Sequence, residues 1–332
     1  MQRKEQILKL IKQKKEVSIN DILGVVDGSK VTILRDIEKL ITDGKVIKTG
    51  KARATLYLPA VDLDEYFLQE QDERKLKSKN YNFNVWSEIE NIFTETELNQ
   101  FAKINKRFQE KYKGLTPALL RKEIERLTIE FSWKSSKIEG NTYTLLDTEL
   151  LIKENIEAAG KAKEDAIMIL NHKAALDYIF TESTYFKNIT VKKIKELHQL
   201  LMKDLNVPSD FRLRAVGITG TNYHPLDVQS QIAEEIEKFA KLINETQHPL
   251  TKAILAVLIV SYLQPFEDGN KRTARILGNA LLFANDYCPL SYRSADEVTY
   301  KKAMLLFYEQ NNWVHFKKLF IQQFTEAVEK YF

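Results

Sequence analysis

Cysteine, proline and glycine are all scarce in this chain of 332 residues. Cys288 is the only cysteine, which excludes an internal disulfide framework and favours a reducing compartment. The seven prolines and eleven glycines leave few helix breakers, so we expect a mainly α-helical fold. The longest apolar run, Ala253–Leu263, is too short to span a bilayer, and the N-terminus is too polar for a signal peptide. We therefore expect a cytoplasmic protein without membrane contact.

Positive charge is concentrated near the N-terminus. Residues 1–59 contain thirteen Lys or Arg and seven Asp or Glu, a net charge of +6, whereas the whole chain carries only +4. The N-terminal segment is therefore the candidate for binding a polyanion.

The same segment has the pattern of three short helices followed by two strands. Helical periodicity covers Gln6–Ile11, Ile19–Val26 and Val31–Ile41, and the strand-like runs are Val46–Lys48 and Thr55–Leu58. This order resembles the winged helix-turn-helix of bacterial transcription regulators, by pattern rather than by a fixed motif.

The third helix would then enter the major groove of duplex DNA, and the wing would contact phosphates. The predicted DNA-binding residues are the outward polar positions of that helix and the basic positions of the wing: Lys30, Thr32, Arg35, Lys39, Lys51 and Arg53. The alternative is a protein-interaction or dimerisation module with a solvated basic face.

Three regions follow from this reading. Residues 1–60 form the winged helix, residues 61–82 form a charged linker, and residues 83–332 form a helical second domain.

The segment from Ser261 to Arg275 contains the most informative motif of the second domain. Pro265 should end a long apolar helix, a tight polar turn follows, and a second helix begins near Lys271. The unpaired N–H groups at a helix start bind anions. Lys271, Arg272 and Arg275 add positive charge there, and the Asp268 carboxylate is a ligand for Mg²⁺. Backbone donors, cationic side chains and one carboxylate together are suited to binding a nucleoside triphosphate with its metal ion. The alternative is an ordinary turn between two core helices.

These residues resemble the signature of the Fic (filamentation induced by cAMP) family, His-Pro-Phe-x-Asp/Glu-Gly-Asn-x-Arg-x-x-Arg. Every position from Pro265 to Arg275 matches, and only the first differs, where this chain has Gln264. The resemblance implies a Fic-type helical bundle that transfers AMP from ATP to a Ser, Thr or Tyr hydroxyl of a protein. The target could be the chain itself, and the resemblance leaves a homodimer open.

The resemblance also implies a role for each loop residue. Asp268 would hold Mg²⁺, Gly269 and Asn270 would form the anion hole, and Arg272 would grip the phosphates. The nucleotide-binding set is completed by the two remaining cations, Lys271 and Arg275.

A second motif precedes the loop, at the end of a helix predicted from Pro117 to about Lys137. Ser135, Glu139 and Gly140 match the family's inhibitory motif, Ser/Thr-x-x-x-Glu-Gly/Asn. The resemblance implies that the Glu139 carboxylate pairs with Arg275 and displaces the terminal phosphate. The alternative is a glutamate beside a helix C-cap, with Gly140 as its left-handed residue.

Residues 211–225 alternate around two glycines, which predicts a β-hairpin in an otherwise helical domain. In the family this position is the flap that pairs with the target segment. The flap residues would be Val216, Gly217, Ile218 and Thr219, and the alternative is a plain surface hairpin.

Gln264 stands where the family has its general base. A carboxamide does not take up a proton near neutral pH, so transfer should be slow or absent. Gln264 is either natural in a divergent member or a substitution that traps an inactive form. Two functions remain: an AMP-transferase weakened by Gln264, or a non-catalytic, nucleotide-binding and DNA-binding regulator. The helical residues His172 and His198 share no metal-ligand spacing with other His or Cys residues and are expected to be packing or surface residues.

Overall fold

The computed structural model describes residues 2–14, 16–49, 55–89 and 92–332. The chain divides into two compact units, Met1–Arg74 and Lys75–Phe332. The division falls inside the segment predicted as a linker, which also contains a short helix, Leu63–Leu68.

The first unit is a small winged helix with its own apolar core. Its elements are α1 (Arg3–Lys14), β1 (Val17–Ser18), α2 (Ile19–Leu23), α3 (Lys30–Thr42), β2 (Val46–Thr49), β3 (Leu56–Pro59) and α4 (Leu63–Leu68). The sheet is antiparallel in the order β1-β3-β2, with Val17 opposite Tyr57 and Lys48 opposite the same residue on the other side. The predicted winged helix-turn-helix is confirmed, with β1 as an addition that is too short to produce a visible alternation.

Helix starts in this unit follow from their capping residues. Ser18 and Asp21 form a reciprocal capping box at α2, and the Ser29 hydroxyl accepts the N–H of Thr32 at α3. The inner face of α3 buries Ile33, Ile37 and Leu40. Packing of α3 on its neighbours therefore leaves the opposite face of the helix exposed.

The second unit is a helical bundle. Its elements are α5 (Val85–Glu88), α6 (Glu95–Gly114), α7 (Pro117–Ile138), α8 (Leu145–Glu154), α9 (Lys163–Thr181), a 3-10 helix (Ser183–Lys187), α10 (Val191–Leu201), α11 (Gln229–Glu245), α12 (Pro249–Leu263), α13 (Asn270–Ala284), α14 (Glu297–Gln310) and α15 (Val314–Lys330). The mainly α prediction is thus confirmed.

The pair α12–α13 forms the centre of the bundle. Every residue of α12 from Lys252 to Leu263 is buried, which is why its sequence is apolar on all sides. Gly278 of α13 lies against α12, and a Cβ there would be 3.3 Å from the carbonyl oxygen of Ala253. The close crossing holds the connecting loop, residues 264–269, at a defined place on the bundle.

The predicted β-hairpin of residues 211–225 is wrong. Both ends of the segment bind other parts of the chain: Arg212 N–H donates to Pro265 O at 3.0 Å, and His224 N–H donates to Lys79 O at 2.7 Å. The Arg212 guanidinium donates to the carbonyls of Arg214 and Leu226. These contacts occupy groups that a hairpin would pair across its two strands, so the segment is held open without a ladder.

Candidate functional site

The loop after α12 is shaped by two residues with left-handed backbones. Gln264 ends α12 with φ 49°, and Gly269 precedes α13 with φ 77°. A Cβ on Gly269 would lie 2.5 Å from Met202 Cε, so the position favours glycine for both conformation and space. Within the described residues no side chain caps the start of α13. The first N–H groups of this helix are therefore available to an external acceptor such as an anion.

Gln264 is buried and both ends of its carboxamide are in use. Nε2 donates to Ser261 O at 2.6 Å, and Oε1 accepts from Asn270 Nδ2 at 2.9 Å. The Asn270 side chain also accepts the N–H of Phe266 and so closes the loop. Gln264 and Asn270 consequently set the geometry of the loop, and the Gln264 amide supplies no base.

Arg272 and Asp268 lie on the open side of the loop. Arg272 Nη2 contacts Asp268 Oδ2 at 2.8 Å; the arginine side chain is 4% exposed and the aspartate side chain 67%. Arg272 Nη1 is buried and has no hydrogen-bond partner among the described residues. A buried guanidinium nitrogen without an acceptor is suited to a phosphate oxygen.

Arg275 is fully buried and meets the predicted inhibitory motif. Its Nη2 lies 2.9 Å from Glu139 Oε1 and 2.9 Å from the carbonyl oxygen of Ser135, and its Nε donates to Ser135 Oγ at 2.9 Å. Lys271 Nζ reaches the other Glu139 oxygen at 3.2 Å. Gly140 follows with φ 100° and turns the chain away. The structure therefore brings Ser135, Glu139 and Arg275 together.

The charges around Glu139 keep it ionised. Burial alone would raise the pKa of Glu139, but the positive charges of Arg275 and Lys271 outweigh burial and lower the pKa to about 2. Burial would lower the pKa of Arg275, but Tyr300 and Glu139 together raise it. Glu139 is thus ionised at physiological pH, with its carboxylate against the Arg275 guanidinium.

The residues present fit a magnesium-bound polyphosphate. The uncapped start of α13 and the free Arg272 Nη1 suit phosphate oxygens. The Asp268 carboxylate is accessible for Mg²⁺, which commonly takes one or two protein carboxylates together with substrate phosphates. No cluster of three or more His, Cys, Asp or Glu able to hold a metal occurs in the part of the chain that the structure describes. Any divalent cation here would therefore depend on the nucleotide for most of its ligands.

The predicted flap residues lie in an irregular segment without strand structure. Val216 and Ile218 are half-buried, whereas Gly217 and Thr219 are exposed. Within the described residues, the backbone from Ala215 to Thr219 makes no hydrogen bond. Its N–H and C=O groups are free to pair with an added strand.

The structure describes four of the six predicted DNA-binding residues. Lys30, Arg35 and Lys39 are exposed on α3, while Thr32 is half-buried and its hydroxyl lies 2.8 Å from Ser29 Oγ. The wing residues Lys51 and Arg53 lie outside the described residues.

Two family models match the chain. The Fic/DOC family matches residues 188–282, which include the whole loop and most of α13, and the DeoR-like helix-turn-helix domain matches residues 3–53. This chain contains a Fic domain. Its N-terminal unit is a DeoR-like helix-turn-helix.

Relatives of the Fic domain carry an enzymatic name. The chain is 31% identical over 179 residues to "Protein adenylyltransferase Fic" of Drosophila erecta, and 30% identical over 177 residues to the protein of that name in Drosophila melanogaster. These alignments cover 52% of this chain in each case, but 36% and 35% of the relatives. The chain therefore spans about a third of the length of the curated relatives it matches.

Solved structures share the fold. Fic-1 from C. elegans superposes with a TM-score of 0.60 at 18% identity, over 75% of this chain and 73% of that chain. A Fic domain containing signaling protein from Bacteroides thetaiotaomicron gives 0.58 at 21% identity, over 70% and 95%. At these identities the similarity establishes the fold of the Fic domain.

Two histidines of the Fic domain are closer to the site than the sequence predicted. His198 Nε2 donates to Asp268 O at 3.0 Å, and the ring stacks on Phe266 with centroids 3.6 Å apart. Burial lowers the pKa of His198 to about 4, so the ring supports the loop as a neutral donor. His172 Nε2 lies 2.9 Å from Ser135 Oγ. Both histidines are buried packing residues, as expected. Their spacing along the sequence did not indicate that they hydrogen-bond to residues of the site.

None of the helices in the described part of the chain is both long and apolar enough to cross a membrane.

Proposed function

We propose that this protein is a Fic-type AMP-transferase that is restrained by Glu139 and slowed by Gln264. The observation that carries the proposal is the contact of Glu139 and Ser135 with Arg275 beside an uncapped helix start. The names of the Drosophila relatives support the reaction type.

In this proposal the phosphates of ATP occupy the start of α13. The first N–H groups of the helix and the free nitrogen of Arg272 bind phosphate oxygens, and Arg275 binds the terminal phosphate. Asp268 would hold Mg²⁺ in place of its contact with Arg272, and the bound metal would supply positive charge to the phosphates. The irregular segment from Ala215 to Thr219 holds an extended stretch of the target.

Transfer requires a hydroxyl oxygen of the target to attack the α-phosphorus while pyrophosphate leaves. The hydroxyl proton has to go to a base or to water. Gln264 cannot accept it, because its Oε1 is a carboxamide oxygen already hydrogen-bonded to Asn270. The loss of general-base help costs on the order of 10²–10⁴ in rate. Positioning and electrostatic contributions from the rest of the loop persist.

Restraint follows from competition for one guanidinium. Glu139 Oε1 and a phosphate oxygen are both suited to Nη2 of Arg275, and the two anions also repel each other. Lys271 adds a second cation to the Glu139 carboxylate and should strengthen the restraint.

The test uses ATP labelled on the α-phosphate. We would compare the parent chain, Gln264→His, and Gln264→His combined with Glu139→Gly, with Glu157→Gly as a matched control at an exposed glutamate outside the site. We expect label on protein only when both Gln264→His and Glu139→Gly are present. The absence of label in every variant, together with measurable ATP binding, would contradict transfer.

A non-catalytic regulator is the second candidate. It is favoured by the hydrogen bonds that the Gln264 carboxamide makes to Ser261 and Asn270. It is also favoured by the DeoR-like helix-turn-helix, which could bind DNA in response to the nucleotide. On this reading ATP binding changes DNA binding without any transfer, which the same variants would reveal as an ATP-dependent change in DNA retention.

A further inference from the structure

His172 lies in α9 directly behind the inhibitory motif. The side chain is completely buried, with Nδ1 2.8 Å from Met168 O and Nε2 2.9 Å from Ser135 Oγ. Ser135 in turn accepts Arg275 Nε at 2.9 Å. Three polar side chains therefore form one buried chain of contacts: His172, Ser135 and Arg275.

The partners of His172 determine where its proton is. The Met168 carbonyl can only accept, so Nδ1 carries the hydrogen, and Nε2 of the neutral ring is an acceptor. The Ser135 hydroxyl must then donate to Nε2, which turns its lone pairs toward Arg275 Nε. Burial, together with the positive charges of Arg272 and Arg275, lowers the pKa of His172 to about 3. The neutral form therefore persists at physiological pH.

This arrangement orients Arg275 independently of Glu139. Ser135 contacts the guanidinium through Oγ at Nε and through its carbonyl at Nη2. Neither contact involves the Glu139 carboxylate, so we expect both to persist when that carboxylate is removed. Without an acceptor on His172, the Ser135 hydroxyl could rotate away and Arg275 Nε would lose its partner.

The same helix also fixes the chain beyond Glu139. The Asp165 carboxylate accepts from Thr142 Oγ1 at 2.7 Å, and the Asp165 carbonyl accepts from Asn141 Nδ2 at 2.8 Å. Helix α9 thus holds the inhibitory segment on both sides of Glu139, with His172 as its contact to the Ser135 side.

We propose that His172 is a positioning residue that, through the Ser135 hydroxyl, aims Arg275 at the terminal phosphate and so gives the pocket its preference for a triphosphate over a monophosphate. The inference rests on the proposed function, in which Arg275 binds that phosphate.

The experiment measures dissociation constants for ATP–Mg²⁺ and for AMP by calorimetry in the Glu139→Gly chain. Into this background we would introduce His172→Leu, His172→Gln and Ser135→Ala. His248→Leu serves as the matched control, because His248 is a partly buried histidine that caps α12 away from the loop. We expect His172→Leu and Ser135→Ala to weaken ATP binding about tenfold and to leave AMP binding unchanged, as for loss of one charge-assisted hydrogen bond. His172→Gln, which keeps a donor and an acceptor, should restore most of the affinity for ATP.

Equal weakening of ATP and AMP by His172→Leu would overturn the inference, because it would indicate a merely structural role. An unchanged ratio in a folded Ser135→Ala chain would overturn it as well, and this small truncation avoids the packing defect of His172→Leu. If the Glu139→Gly chain bound no ATP–Mg²⁺ before any change at His172, the proposed function would fail first, and that outcome is distinguishable from the other two.

Discussion

At the scale of single residues, the decisive group is the Glu139 carboxylate between Arg275 and Lys271. Each of its oxygens meets a different cation, at 2.9 Å and 3.2 Å. A buried ion pair is costly to break by removing one partner, because the other charge is then left without compensation. Glu139 therefore links the stability of the Fic domain to the state of its site.

The pH dependence of stability should report this pair. A carboxyl whose pKa falls from 4.5 to about 2 on folding stabilises the protein above pH 4.5, and this contribution is lost as the pH falls toward 2. The full contribution is about 3 kcal/mol. We expect Glu139→Gln to lower the free energy of unfolding at pH 7, and the gap to the parent to shrink at pH 3, measured by urea denaturation.

Glu157→Gln is the control for this measurement, since Glu157 is exposed. A gap between Glu139→Gln and the parent that is equal at pH 3 and pH 7 would show that the ion pair contributes nothing. Because Glu139 stays ionised between pH 5 and pH 8, restraint of the site should be constant across that range.

At this scale the polar residues of the candidate site were predicted from the sequence, but the two histidines that hydrogen-bond to them from neighbouring helices were not. The resemblance of the loop and of Ser135–Glu139 to the two Fic motifs implied that Glu139 would meet Arg275, and the structure places them 2.9 Å apart. His172 and His198 were not predicted as supports, because their roles depend on the packing of α9 and α10 against the loop, and no local pattern encodes that packing.

At the scale of elements, helices were predictable where a capping residue marks their start. Thr116 caps the start of α7, with Pro117 at the first helical position, and Ser29 caps the start of α3. The predicted hairpin was wrong because alternation of apolar residues within a segment does not show which of its backbone groups bind residues elsewhere in the chain. Arg212 binds the carbonyl of Gln264, which lies 52 positions away in the sequence, as well as carbonyls of Arg214 and Leu226.

The exposed face of α3 leads to a prediction about DNA. Arg35 and Lys39 are exposed there, opposite the buried Ile33 and Ile37. We expect Arg35→Ala and Lys39→Ala each to weaken retention on duplex DNA and to reduce the slope of log K against log salt by about 1, as for one lost phosphate contact.

Lys12→Ala on α1 is the matched control, because Lys12 is exposed and lies on another helix. Binding that responds equally to Lys12→Ala, or that is insensitive to salt, would favour the protein-interaction alternative for this unit.

At the scale of the whole molecule, each unit has its own main apolar core within the described residues, and the second unit has a smaller additional cluster around Tyr143 and Ile169. One main core consists of residues between Ile7 and Tyr57, and the other of residues between Tyr81 and Phe332. Each unit therefore has the material to unfold cooperatively by itself.

Calorimetric unfolding should show two transitions, and ATP–Mg²⁺ should raise only one of them in the Glu139→Gly chain, because a ligand stabilises only the unit that binds it. Ile33→Ala should lower the other transition by several degrees, as large-to-small changes in a small core cost about 2–5 kcal/mol. A single transition that moves in both experiments would contradict independent units.

The helix that carries the inhibitory motif is itself part of the Fic core. Leu127, Phe131 and Ile138 of α7 are buried in the same cluster as α12 and α13. Cleavage or melting of this helix would therefore destroy the domain together with its restraint. Under the proposed function, relief therefore requires the Glu139 carboxylate to leave Arg275 while α7 stays folded, so that restraint can return without refolding of the domain.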